Sequence, residues 1–136
     1  MSTNPSSDPR AVAQAYLQAS VENAPPIKIV RLMFEGALRF LDRAAAVDAN
    51  GADAERTRWL ARADAIVNEL RASLDHSYDP TVSQDLDRLY LFVQERIAQA
   101  IVSKDPTLIP GARTVLCTLL DGWKEVELRV NGTTQA

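Results

Sequence analysis

The chain has 136 residues and a formal net charge of −3, from 15 basic and 18 acidic side chains. Its length suits one domain, and its 46% hydrophobic content is that of an ordinary globular protein. The negative charge argues against nucleic-acid binding, which needs a basic excess. One cysteine and one histidine exclude an internal disulfide and most metal sites, and we expect no metal and no cofactor. Because there is neither a long apolar run nor a secretory signal, we expect a cytoplasmic protein without membrane insertion.

Prolines and glycines divide the chain into helical segments. Residues 1–10 are polar, and we expect a disordered tail there; a short segment at 11–22 follows. Residues 131–136 are expected to form a second disordered tail. The expected domain at 11–130 is an all-α, antiparallel four-helix bundle with a short N-terminal cap segment, because short connections make neighbouring helices antiparallel. The four long amphipathic segments lie near 27–48, 53–77, 82–103 and 108–130.

Capping signals mark three of the expected helix starts. Asp53 can cap the second long helix with its carboxylate. The stretch 81–84, Thr-Val-Ser-Gln, has the spacing of a capping box and is expected to start the third. Asp105 precedes a proline, as an N-cap often does, but Pro110 would interrupt a helix that began there. We therefore expect the regular fourth helix to begin nearer Ile109.

The first and fourth long helices have apolar faces wider than the roughly 100° that a surface helix needs. One explanation is that these two helices are central and touch more neighbours. The other is that part of the wide face is a groove for an amphipathic helix. Its occupant would be the chain's own segment 11–22, which carries Val12, Ala15 and Tyr16, or a helix of a partner.

One pair of residues has the spacing of a catalytic site. Arg71 and His76 match the Arg-x4-His spacing of the HEPN ribonucleases, in which arginine would stabilise a phosphate and histidine would act as acid or base. Ala72 stands where that family usually has a polar residue. In the alternative interpretation, Arg71 is a solvated helix residue and His76 lies at a helix C-terminus, where the helix dipole favours a positive charge.

The stretch 15–41 contains an ordered set of specific residues. It reads AYLQASVENAPPIKIVRLMFEGALRFL and resembles the FliS family of flagellar export chaperones, with Phe34 in place of the usual tyrosine and Glu35 in place of aspartate or asparagine. The likeness covers about residues 14–127. The matching positions in the stretch are Tyr16, Val21, Ala24, Pro26, Ile29, Met33, Phe34, Glu35, Gly36, Ala37, Phe40 and Leu41.

The resemblance implies a cytoplasmic, non-enzymatic chaperone for flagellin. Such a protein binds the C-terminal segment of flagellin over its apolar grooves, prevents premature polymerisation and aids delivery to the flagellar type III export apparatus. The export gate and other flagellar regulators are further candidate partners. Two alternatives stay open at this point: a helical-bundle adaptor for another secreted or regulatory protein, and a HEPN-like ribonuclease that uses Arg71 and His76.

The resemblance also implies that the N-terminal segment can cover a groove that flagellin uses. Tyr16 and Val21 are expected to anchor this cap. Ile29, Met33 and Phe40 are expected on the core side of the first long helix, as structural residues more than as contacts.

The remaining candidates lie on the third and fourth long helices. Leu91 and Phe92 fall off the apolar stripe of the third helix and are candidates for exposed apolar contacts. Leu116, Leu120 and Trp123 lie at the far side of the wide apolar face of the fourth. For every candidate, a position in the core is at least as good an explanation as contact with a partner.

Overall fold

The computed structural model describes residues 8–19, 27–48, 53–77 and 79–135. These residues form five α-helices and one 3₁₀ turn, without a strand, which confirms the all-α class predicted from the sequence. Residues 1–7 of the expected N-terminal tail lie outside the described residues, whereas Pro9 and Arg10, expected in that tail, belong to the first helix. The elements are α1 Pro9–Ala19, α2 Ile27–Ala46, α3 Asp53–Ala72, α4 Pro80–Ser103, the 3₁₀ turn Pro106–Leu108 and α5 Ile109–Gln135.

Helices α2 to α5 run antiparallel to their neighbours, as the bonds between them show. On α2 and α5, Arg31 Nε lies 2.6 Å from the carboxylate of Glu127, whereas Asp42, further along α2, bonds at 2.7 Å to Arg113, much earlier in α5. On α3 and α4, Arg71 Nε lies 2.6 Å from Asp87. Helix α1 packs chiefly on α5 and also on α4. The molecule is therefore a four-helix bundle with one short additional helix.

The core lies along the axis of this bundle. Phe34, Leu60, Leu86 and Leu119, from four different helices, are each at most 1% exposed. Val12 brings α1 into the same apolar cluster, with 2% exposure. Removing such side chains from water contributes about 25 cal/mol per Å² of apolar area, so the common core is what holds the five helices together.

Arg56 is a buried charge that joins α3 to the end of α2. Its Nη2 donates hydrogen bonds to the carbonyl oxygens of Val47 and Asp48, at 3.2 and 3.3 Å. Its Nη1 donates to the carboxylate of Asp53 at 3.2 Å, on the first turn of its own helix. Carbonyls near the end of a helix have no partner within that helix, so this guanidinium satisfies acceptors that would otherwise need water.

The start of α4 differs from the expectation. The N-cap is Asp79, whose carboxylate accepts a hydrogen bond from the N–H of Val82, and Pro80 is the first helical residue. Thr81 therefore lies inside the helix, and the capping box predicted at 81–84 is wrong. The physical reason is that a proline is well suited to the first helical position, where its missing N–H is not needed. The expected start of the regular last helix near Ile109 is confirmed.

Two helix ends also differ from the expected boundaries. Helix α3 ends at Ala72 instead of near residue 77. The N–H of Asp75 donates to the hydroxyl of Tyr16 at 3.0 Å, and the hydroxyl of Ser73 donates back to the carbonyl of Leu70. These bonds replace helical ones. Helix α5 continues to Gln135, so residues 131–135 are helical and do not form the tail expected at 131–136.

Candidate functional site

The most distinctive surface of the bundle is the groove that α1 fills. One face of α1 is buried against α5 and α4, and the described residues on it are Val12, Ala13, Tyr16 and Leu17, all at most 6% exposed. This placement agrees with the interpretation that the chain's own N-terminal segment occupies a groove beside the last helix. The wide apolar face of α5 follows from its position, because α5 packs against α1, α2 and α4.

A glycine allows α1 to lie close to α5. A Cβ atom built on Gly122 would lie 2.9 Å from the carbonyl oxygen of Arg10 and 3.0 Å from the Cβ of Ala13. Real Cβ atoms do not approach a backbone oxygen so closely. Gly122 is therefore a position where the backbones of the two helices lie close together, and any side chain there would push α1 outward.

Polar contacts fix α1 at both ends of its buried face. Near its start, the side chains of Arg10 and Gln14 both contact the carboxylate of Glu125 on α5. Near its end, the hydroxyl of Tyr16 accepts the hydrogen bond from the N–H of Asp75, in the segment after α3. Helix α1 is thus tied to two different parts of the bundle by side-chain bonds.

Four aromatic rings meet where α1 packs on the bundle: one belongs to α1 itself, and α2, α4 and α5 contribute one each. The ring centroid of Phe34 lies 5.1 Å from that of Trp123 and 6.2 Å from that of Tyr90, and Tyr16 lies 6.3 Å from Trp123. A small cleft opens at this cluster, lined also by Leu70 and by residues near the end of α3. Removing α1 would therefore expose an aromatic groove.

Two polar groups in this cluster are buried. Burial raises the pKa of the Tyr90 phenol well above its usual value, and the nearby Tyr16 phenol raises it further. The indole Nε1–H of Trp123 is buried without a hydrogen-bond acceptor among the described residues. An unpaired buried donor costs about 1–3 kcal/mol, so this N–H is an unfavourable feature of the packed cluster.

The structure places the expected site residues in three different environments. Tyr16, Leu116, Leu120 and Trp123 are buried, at 6, 0, 5 and 2% exposure. Met33, Phe40, Leu91 and Phe92 are half-buried. Ile29 is 53% exposed, so its expected place on the core side of the first long helix is wrong. It lies in the first turn of α2, at the side of the face that points to the core. Val21 lies outside the described residues.

Several residues of interest were not expected from the sequence. Leu32 and Leu128 are 51 and 72% exposed, and Trp59 is half-buried beside Phe40, with the two rings stacked at 5.8 Å. Gly122 carries no signal of its own in the sequence, because a single glycine inside a helix does not show which helix will approach it.

Arg71 and His76 are held by different partners. The guanidinium of Arg71 bonds to the carboxylate of Asp87 and to the side chain of Gln94 on α4, and the hydrogen bond to Asp87 raises its pKa. Nδ1 of His76 lies 2.6 Å from the hydroxyl of Ser83. Both residues therefore connect the end of α3 to α4, which is a structural arrangement.

The described residues contain no cluster of three or more histidine, cysteine, aspartate or glutamate side chains arranged to hold a metal ion. None of the described helices is both long and apolar enough to cross a membrane.

These features define a small all-α bundle whose own N-terminal helix closes an aromatic groove. The family model described as "Flagellar protein FliS" matches residues 9–130, and the chain belongs to this family of flagellar secretion chaperones. The resemblance seen in the sequence is thereby confirmed.

Curated relatives match along most of their length. A protein from Pseudomonas aeruginosa named "Flagellar secretion chaperone FliSB" is 27% identical over 110 residues, which cover 81% of this chain and 87% of the relative. "Flagellar secretion chaperone FliS" from Salmonella typhimurium is 27% identical over 86% of this chain and 87% of its own. The protein of that name from Campylobacter jejuni is 30% identical over 84% of this chain and 88% of its own.

Proposed function

We propose that this chain is a cytoplasmic chaperone that binds the C-terminal segment of flagellin, prevents its premature polymerisation and aids its delivery to the flagellar export apparatus. It acts by binding and not by catalysis. The observation that carries the proposal is an aromatic groove closed by the chain's own short helix α1, whose Tyr16 ring centroid lies 6.3 Å from that of Trp123.

The proposed mechanism is an exchange of helices. Undocking α1 uncovers an aromatic surface, and a disordered client gains free energy by covering it, at about 25 cal/mol per Å² of apolar area. Part of this gain is lost because the client must become ordered, so the complex can cover a large area and still release. As long as α1 is docked, it lowers the apparent affinity in proportion to the time it occupies the groove.

Co-expression with flagellin from the same organism tests the proposed function. We expect a single complex of one chaperone and one flagellin on size-exclusion chromatography at micromolar concentration. A flagellin that lacks its C-terminal segment is the matched control and is expected to elute separately. Two separate peaks with the full-length flagellin would contradict the proposal, and an adaptor for another protein would then be the better explanation.

A reversible lock on α1 tests the exchange of helices. In a Cys117→Ser background, Ala13→Cys with Gly122→Cys would place two Cβ atoms about 3.0 Å apart. The two Cβ atoms of a disulfide lie about 3.5–4.5 Å apart, so a small outward movement of α1 would let the bond form. We expect the oxidised protein to lose at least tenfold in affinity for a C-terminal flagellin peptide in calorimetry, and a reductant to restore it. Equal affinity in both states would show that α1 does not compete.

A further inference from the structure

A second surface lies along the outer side of the contact between α2 and α3. We call it the α2–α3 seam and define it by six apolar side chains. On α2, Ile29 and Leu32 are 53 and 51% exposed, and Met33 and Phe40 are half-buried. On α3, Trp59 and Ile66 are half-buried. Single exposed apolar side chains are common, but contiguous apolar patches mark interaction sites, and here two exposed side chains continue a partly buried apolar strip.

The seam has a defined floor. A Cβ atom built on Gly36 would lie 3.4 Å from Cδ1 of Ile66, which is ordinary contact distance, so the two helices are close together there. The stacked rings of Phe40 and Trp59, 5.8 Å apart, close the seam toward the end of α2. From Ile29 to Phe40 the strip spans about 17 Å at 1.5 Å per residue, the length of roughly three helical turns.

The seam also carries unpaired positive charge. The guanidinium groups of Arg43 and Arg62 lie 4.9 and 5.0 Å from the ring centroid of Trp59, and Nη2 of Arg39 lies 3.7 Å from the Cβ position of Gly36. All three are exposed, and none of them forms an ion pair with a carboxylate of the described residues.

Seven other arginines of the described residues form ion pairs, whereas Arg58 on α3 and Arg96 on α4 do not. Arg31, Arg71 and Arg113 each bond to a carboxylate of another helix, and Arg88 bonds to one on its own. Two carboxylates, Glu55 and Glu69, share the outer side of α3 by helical position, each two turns from Arg62. A positive patch thus stands on a chain whose net charge is −3.

We propose that the α2–α3 seam is a second docking surface, and that its occupant is an amphipathic helix of a partner protein with acidic residues beside its apolar stripe. The apolar strip fits side chains at positions i, i+3, i+4 and i+7 of such a helix, and the three arginines complement its carboxylates. A nucleic acid fits less well, because its bases would need a free aromatic face, and the Trp59 ring is already covered by Phe40 and the two arginines.

The seam is separate from the groove proposed for flagellin. Helix α1 packs on α5 and α4, whereas the seam is formed by α2 and α3. The seam is therefore open whether α1 is docked or displaced. A chaperone with both surfaces holds a flagellin segment and a second protein at once.

The test uses the full chain and a synthetic helical peptide. The probe is an 18-residue amphipathic peptide with leucine and phenylalanine on one face and glutamate on both flanks. Two control peptides have lysine in place of glutamate, or the same composition in scrambled order. We expect micromolar binding of the acidic peptide alone, weakened by added salt, with the amide shifts in ¹⁵N NMR spectra confined to α2 and α3.

Charge-reversal variants locate the binding. The double variant Arg43→Glu with Arg62→Glu is expected to bind the acidic peptide at least tenfold more weakly. Arg96→Glu is the matched control, since Arg96 lies 5.0 Å from the ring centroid of Phe92 on α4, and it is expected to change the affinity less than twofold. Circular dichroism melts of each variant report whether the fold is intact.

Several outcomes would overturn the proposal. One is that the acidic peptide shows no saturable binding, or that the lysine peptide binds equally well. Another is that the amide shifts map to α4 and α5, or that poly(U) RNA displaces the peptide. A third is that the protein associates with itself in a way that the Arg→Glu variants abolish. Displacement by a flagellin peptide would show that there is only one surface. Flagellin binding is measured on the same variants. If flagellin does not bind but the acidic peptide still does, the proposed function is contradicted while the proposal for the seam still holds.

Discussion

Gly122 determines how closely α1 and α5 approach one another. Its backbone lies against Arg10 and Ala13 with no room for a Cβ atom. Glycine in a helix interior is unfavourable by about 1 kcal/mol relative to alanine, because it loses more backbone freedom on folding. Its presence at this one contact is explained by the packing of α1, which a larger residue would disturb.

We predict that Gly122→Ala destabilises the protein and loosens α1. Overpacking a close contact costs about 1–3 kcal/mol, which exceeds the helix-propensity gain of about 1 kcal/mol. Urea unfolding should show a net loss, and the amides of α1 should exchange faster with deuterium. Gly111→Ala is the matched control on the same helix: nothing lies within 4 Å of its Cβ position, so it should be neutral or slightly stabilising. An equal effect of the two substitutions would contradict this account.

Helix starts show where local sequence signals compete. The stretch around residue 80 offers two overlapping patterns, Asp79 before Pro80 and Thr81 three residues before Gln84. The structure uses the first. The capping-box pattern alone does not decide between them, because each hydroxyl or carboxylate in a short polar stretch can bond to a nearby N–H.

We predict that Asp79→Ala destabilises the protein by about 1 kcal/mol, the usual loss when an N-cap side chain is removed. Thr81→Ala is the control, and its effect should stay within about 0.5 kcal/mol, as for an ordinary surface substitution. Chemical denaturation monitored by circular dichroism at neutral pH measures both. A larger loss for the threonine variant would restore the capping box as the start of α4.

The sequence was sufficient to predict the helices but not which neighbours cover their apolar faces. Proline positions and helical periodicity predicted four long helices, and α2 begins at Ile27 as expected. Periodicity shows that a face of a helix is apolar, but not which neighbour covers it. The wide face of α2 is divided between the core and the α2–α3 seam, which is why Ile29 was wrongly placed. The wide face of α5 is covered by α1, and that packing depends on Gly122.

At the scale of the whole molecule, several ion pairs connect neighbouring helices of the bundle. The ion pairs Arg31–Glu127 and Arg71–Asp87 each join two antiparallel helices. Both pairs are half-buried but still reached by water, and such pairs contribute about 1 kcal/mol or less each, so their main effect is to favour this arrangement of helices over others. Among the described residues, Arg39, Arg43 and Arg62 of the α2–α3 seam form no such pair.

Because of the aromatic cluster, the stability of the whole bundle falls with rising pH in the alkaline range. Burial raises the pKa of Tyr90 in the folded protein, whereas in the unfolded chain its phenol has the usual pKa of about 10. The folded state thus holds this proton more tightly than the unfolded state. Its contribution is complete below pH 10 and is lost as the pH rises through that value toward the folded pKa.

We therefore predict that the free energy of unfolding falls above about pH 10, with this group contributing up to about 1.4 kcal/mol per pH unit. Urea titrations between pH 8 and 11 measure the slope. Tyr90→Phe keeps the buried ring, which is 1% exposed in the native protein, and removes the titrating hydroxyl, so its slope should be shallower. If wild type and variant lose stability in parallel over this range, the proton on Tyr90 is not what couples the bundle to pH.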